Sequence, residues 1–210
     1  GYLDGVEDDL GLTELYLRYR GLPNENGLRH SVRLGVFYPA ISLENNATAW
    51  STPNTLTPST MNSWIGEELR STGVEYTAEW LGKLSGRPYD LKLQSSVFMN
   101  NDPAGAMLSW HGWTLSSRQT LLHERLPVPW MPARSGILSG QAAESDPFFE
   151  EDGRPGYTLA GEIRFPRKGL VQLGYFDNRA QPFSETNGQY GWDTRFGWAG
   201  FKWRLPARFS

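Results

Sequence analysis

The side chains of this sequence that are able to do chemistry fall into a few small groups, each with a plainer role beside the chemical one. The pair Glu67-Glu68 has the residue type of a general acid and base. Carboxylates that cooperate across a scissile bond must face one another, however, and adjacent residues point in different directions. Trp50 and Trp64 lie in the same Asn-, Thr-, Ser- and Pro-rich stretch, where indoles and amides suit stacking on sugars or aromatic solutes. Anchoring a long loop against a wall is the commoner use of such rings, and it is preferred here. His30, His111 and His123 lack the short spacing of metal ligands. Glu150-Glu151-Asp152 offers oxygen ligands of the kind Ca²⁺ takes, against the preferred expectation of a solvated loop turning at Gly153. Asn46-Ala47-Thr48 matches a glycosylation acceptor. Cysteine is absent, which removes disulfides and thiolate metal sites. With no phosphate-binding Gly loop or hydrolase elbow, the chain is read as a non-enzyme without metal or cofactor.

The charged residues fall instead into a pattern that β-strands would position. Seven runs alternate apolar with polar side chains, which sends them to opposite faces of a strand. Leu15, Leu17 and Tyr19 oppose Glu14, Tyr16, Arg18 and Arg20. Val32, Leu34, Val36 and Tyr38 oppose Ser31, Arg33, Gly35 and Phe37. Val74, Tyr76, Ala78 and Trp80 oppose Gly73, Glu75, Thr77 and Glu79, and Leu91, Leu93, Val97 and Met99 oppose Lys92, Gln94, Ser96 and Asn100. Later, Tyr157, Leu159, Ile163 and Phe165 oppose Thr158, Ala160, Glu162 and Arg164, and Val171, Leu173 and Tyr175 oppose Gln172, Gly174 and Phe176. The last run, 192–205, carries aromatics on both parities, Phe196 and Trp198 on one, Phe201 and Trp203 on the other. A bulge or a change of environment near Gly200 is expected there.

Connection lengths add a second signal. The segments 21–29, 81–90 and 166–169 are short, whereas 39–68, 101–155 and 177–191 are long. Strict alternation gathers the long loops at one end of an up-and-down sheet, the asymmetry of outer-membrane barrels. Loops of that length are expected to fold back as a constriction or plug or to carry short helices, one of them over 60–69 with Asn62 or Ser63 as its cap. Tyr19, Tyr38, Trp80, Phe165 and Tyr175 sit near the ends of apolar faces, where a membrane girdle would place them. Nine Trp, nine Tyr and ten Phe among 210 residues favour strands over a helical bundle. A net charge of −3 argues against nucleic acid as a partner. No run reaches the roughly 18 consecutive apolar residues that a membrane helix needs.

The stretch 35–80, reading GVFYPAISLENNATAWSTPNTLTPSTMNSWIGEELRSTGVEYTAEW, resembles a largely uncharacterised group of porin-like outer-membrane proteins of Gram-negative bacteria. Further matching pieces are Asn101-Asp102-Pro103-Ala104-Gly105, Gly112-Trp113-Thr114-Leu115, Asp152-Gly153-Arg154-Pro155-Gly156-Tyr157 and Tyr175-Phe176-Asp177-Asn178-Arg179. The resemblance implies a β-barrel, export through the periplasm and a passive or substrate-selective pore, and it brings no catalytic residues. The relatives look longer, and the carboxyl end, Arg208-Phe209-Ser210, lacks the final aromatic of barrel proteins. A piece of a larger barrel is therefore expected.

The expectation is all-β: an antiparallel up-and-down transmembrane β-barrel, residues 1–210 forming part of one domain, in the bacterial outer membrane. Its partners are lipid and small hydrophilic solutes, and a homo-oligomer is compatible with it. Arg18, Arg20, Arg33, Glu75, Glu79, Lys92, Gln94, Glu162 and Arg164 are the pore-lining candidates; Trp50, Trp64, Glu67 and Glu68 are the constriction-loop candidates. Both charge signs occur, which does not describe a strongly anion-selective pore. Two alternatives stay open: a secreted or periplasmic β-sandwich that binds carbohydrate, and an envelope enzyme on a barrel. A sandwich hides its apolar faces between two sheets, whereas a porin turns them to lipid.

Overall fold

The computed structural model describes residues 11–44, 51–52, 55, 58–59, 62–63, 69–105, 120–122, 124–127 and 140–204. All seven alternating runs form strands of one antiparallel sheet: β1 (Leu15–Arg20), β2 (Leu28–Phe37), β3 (Ser71–Trp80), β4 (Asp90–Met99), β7 (Gly156–Phe165), β8 (Gly169–Asp177) and β11 (Arg195–Trp203). Two small ribbons stand in the long loops, β5 (Leu126–Pro127) with β6 (Glu144–Ser145), and β9 (Glu185–Thr186) with β10 (Gln189–Tyr190). Each main strand pairs with its neighbour in the chain, so the sheet is a meander with long connections at one end. Its edges, β1 and β11, are not paired with each other, and no closed barrel is found.

Local chemistry explains the short turns. Between β1 and β2, Asn24 Oδ1 accepts the N–H groups of Asn26 and Leu28 at 3.1 and 2.9 Å. Between β7 and β8, Lys168 N–H donates to Phe165 O at 3.0 Å, with Pro166 in the position where its fixed φ helps and Arg167 at φ 65. The third turn carries a one-turn helix, α1 (Gly82–Ser85), stopped by the left-handed Gly86. In the first long loop Asn62 and Ser63 are helical, and Ser59 supplies the cap: its Oγ accepts Asn62 N–H and its carbonyl accepts Ser63 N–H. The cap expected at Asn62 or Ser63 thus lies earlier, because the first free N–H groups are theirs.

The two faces are inverted relative to a water-soluble sheet. Leu17 is 78% exposed and Leu173 60%, whereas Glu75 and Glu162 are 7% exposed and Gln172 3%. The sheet curls around its polar face, and the long-loop end of that hollow is filled by a cluster of Phe98, Phe176, Tyr38, Ile41 and Leu69, with Phe196 and Trp198 against it. Phe176 stacks on Phe98 and on Phe196, each at 5.2 Å between ring centres. Glycines opposite these rings leave the room: a methyl group at Gly156 would come within 2.7 Å of the Phe98 ring, and one at Gly174 within 2.3 Å of Trp198.

Two expectations are corrected here. The β11–β8 register runs unbroken from Arg195↔Asp177 to Trp203↔Gly169, so of a bulge and a change of environment at Gly200 the bulge is ruled out. The aromatics on both parities are two populations, Phe196 and Trp198 inside the curl, Phe201 and Trp203 outside. Trp192 precedes the strand and sits where Gly105 leaves space for its ring. Tyr38 is not a girdle residue either, since β2 ends at Phe37 and Tyr38 is 4% exposed in the cluster.

Gly35 has φ 136, and a side chain there would bring its Cβ within 2.3 Å of Leu15 O, on the neighbouring strand. Gly35→Ala is therefore expected to destabilise the chain by about 1–3 kcal/mol. Equilibrium denaturation checks this, and an unchanged midpoint would contradict the close approach of β1 and β2.

Candidate functional site

Every main strand contributes to one cavity of about 500 Å³ on the concave face. Its floor is ordered by register. Arg29, Glu79, Lys92, Glu162 and Gln172 are successive cross-strand partners on β2, β3, β4, β7 and β8, so cations and carboxylates alternate along the row. Arg29 Nη2 lies 2.7 Å from Glu79 Oε2, and Arg20 Nη2 lies 3.6 Å from the same oxygen. Glu162 holds Arg164 at 2.8 Å and Lys92 at 4.0 Å. Two inward-facing rows nearer the aromatic cluster, Arg33 Nη2 meets Glu75 Oε2 at 2.8 Å and also donates to Tyr38 O at 3.0 Å. Its guanidinium lies over the Phe37 ring, 4.2 Å from the centre, and 5.0 Å from that of Tyr16. Glu14 accepts the Tyr38 N–H at 3.1 Å.

Arg18, Arg20, Arg33, Glu75, Glu79, Lys92, Gln94, Glu162 and Arg164 all line this cavity. Glu75 is more than a lining residue, because removing it would leave the part-buried Arg33 without its carboxylate. Lys202 and Arg29 belong to the same face and were missed from the sequence, whereas the alternation places Gln172 on that face without counting it among the pore-lining candidates. Lys202 shares parity with Trp198, in a run with rings on both parities, and Arg29 lies at the margin of a turn. The described part of the first long loop bends over the cavity, with Ala40, Ser42 and Leu43 among its lining, and Leu43 fits against Gly200 of β11. Trp50, Trp64, Glu67 and Glu68 lie outside the described residues, as do residues 46–48, 112–115 and 208–210, His111 and His123. His30 is on the outer face, its Nδ1 2.6 Å from the Tyr76 hydroxyl.

Among the long loops, the acidic run 150–152 is divided. Glu150 and Asp152 come together with Asp102, their carboxylate oxygens within 4.8 Å of one another, while Glu151 turns aside to accept the Ser184 hydroxyl at 2.6 Å. Asp102 Oδ2 accepts the N–H groups of Glu151 and Asp152 at 2.7 and 3.4 Å. Glu150 accepts from Asn100 and Gly153, and Asp152 from Arg154 and Gln181. Asn178 completes the junction by donating to Asn101 O and Trp192 O. Much of what these carboxylates do is to accept backbone N–H groups of their own loops.

No family model matches the chain, no curated protein matches it, and no solved structure does. The site therefore rests on its own geometry.

Asp102 is 2% exposed, and burial is the main cause that pushes its carboxyl up to about 6. The Glu151 N–H pulls the other way, and the charges of Glu150 and Asp152 add to the rise. The folded chain thus holds this proton more tightly than the unfolded one, where the ordinary value is 3.8. The stability it contributes is full below about pH 4 and is lost as pH rises through about 6. Asp102→Asn is expected to match the unsubstituted chain near pH 4 and to be about 1–2 kcal/mol more stable at about pH 7.5. Denaturation midpoints at the two pH values check this, and an equal shift at both would rule the titration out.

Proposed function

We propose that this chain forms wall strands of an outer-membrane, porin-like channel that passes small hydrophilic solutes. The observation that carries the reading is the inverted polarity of the sheet. Leu15, Leu34, Val97, Leu159, Leu173 and Phe201 project from the convex face and stay exposed, while paired charges surround the hollow. Lipid is the environment in which such a face is stable. A β-sandwich would set a second sheet on those side chains, and among the described residues none lies there. No catalytic role is proposed.

Aromatic placement supports the same reading. On the outer face, Tyr157 and Tyr175 meet near the long-loop end, and Phe165 lies between Tyr89 and Trp203 near the short-turn end. At a rise of about 3.3 Å per residue, Tyr157 and Phe165 are separated by about 26 Å along β7, which a strand tilt of about 40° reduces to about 20 Å of depth, approaching the ≈ 25 Å apolar band of outer-membrane barrels. The band between them holds Leu159, Ile163, Val171 and Leu173.

Topology sets a condition on closure. Neighbours in the meander are antiparallel, so β1 and β11, first and last of seven, run in the same direction. Direct pairing of these two edges would be parallel. Antiparallel closure takes an odd number of further strands between them, giving the even total usual in bacterial barrels.

Leu173→Arg, on the outer face, is expected to cost about 2–4 kcal/mol at mid-membrane and to reduce insertion into lipid vesicles. Arg18→Glu, exposed on the concave face, is expected to insert as the unsubstituted chain does. Flotation of the vesicles measures both. Full insertion of Leu173→Arg, or equal loss in the two variants, would count against the channel.

A further inference from the structure

We infer that the concave cavity favours small anions, solutes bearing a carboxylate, sulfonate or phosphate, over cations; as a statement about transport, this rests on the channel reading above. Six cations and four carboxylates line the cavity, a surplus of two positive charges on a chain whose net charge is −3. The distribution matters more than the count. Glu75, Glu79 and Glu162 are each held by Arg or Lys, and Glu14 accepts a backbone N–H. A visiting cation would have to compete with those partners for a carboxylate.

The surplus is localised. Arg18 and Lys202 line the cavity from the two edge strands, and neither has an ion-pair or hydrogen-bond partner among the described residues. Arg18 is the direct cross-strand partner of Arg33 on the same face. Like charges placed opposite one another are unfavourable, and an anion beside them relieves the repulsion. Lys202 reaches the floor two strands from Arg164, with Leu170 between them in register. A bound anion therefore meets an unengaged guanidinium on one side and an unengaged ammonium on the other. The mixed signs read from the sequence suggested little selectivity, but in the cavity the pairing among the described residues leaves only positive groups without a partner.

Two measurements on the full-length protein, with the strands that complete its barrel, test this, with the double variant Arg18→Gln/Lys202→Gln as comparison. In planar bilayers under a KCl gradient near 0.1 M, where screening is moderate, chloride is expected to permeate over potassium by about twofold or more. The double variant is expected to lose that preference. In detergent micelles, fluorescence anisotropy of pyrenetrisulfonate is expected to report binding that the double variant weakens by about tenfold. Circular dichroism confirms that the variant folds, as two exposed side chains allow. A conducting protein that prefers potassium, or whose selectivity ignores the two substitutions, overturns the inference and leaves the channel standing. Silence in bilayers with substitution-sensitive trisulfonate binding overturns the channel and leaves the anion site standing. Absence of both conductance and binding overturns both.

Discussion

Charge taken out of water must be met by opposite charge, and the concave face meets that demand through strand register. The row of Arg29, Glu79, Lys92 and Glu162 runs across four strands, each member the direct partner of the next. A slip of one residue in any pairing would exchange inner and outer faces, carrying Leu and Val into the charged row and Glu into the apolar surface. Turn chemistry that fixes register, at Asn24 and at Pro166-Arg167, thus also decides which carboxylate finds which cation. Breaking one such pair by removing a single partner leaves a half-buried charge, the more damaging kind of change.

The hollow is divided along the strands. Toward the long loops it is aromatic, and toward the short turns it is ionic. Phe98, Phe176 and Phe196 stack at the first end, where Gly156 and Gly174 leave the space that large rings need. Arg70, fully buried, joins the loops to this end: its guanidinium donates to Thr13 O and Thr120 O and lies 4.1 Å from the centre of the Phe148 ring. Main-chain carbonyls and ring faces thus surround that cation, which ties loop segments far apart in sequence to the strand ends. The ionic end has no such filling, and it is where a solute would find water and charge together.

The outer face gives the proposed function its physical content. Apolar side chains exposed on seven adjacent strands would drive association in water, whereas hydrocarbon accepts them, provided that every backbone N–H and C=O is paired within the sheet. A meander supplies those pairs for all but its two edges. The exposed edges and the outer face therefore pose one physical problem, which closure within a bilayer would resolve.

The sequence by itself determined the seven strands, their faces and the segregation of long loops, because period-two alternation and connection length are local properties. It could not divide the last strand, since Phe196, Trp198, Phe201 and Trp203 offered large rings to both faces. Nor could it place Tyr38, whose burial depends on where β2 ends and on what crosses the hollow. The ion pairs were out of reach for the same reason: the residues 14–20 and 162–164 showed which charges share a face, but partners follow from cross-strand register. Only the tertiary structure brought Asp102 to Glu150 and Asp152, and only it left Arg18 and Lys202 as the cavity charges without partners among the described residues. Composition fixes how many charges a face carries, whereas distance between strands decides which of them cancel.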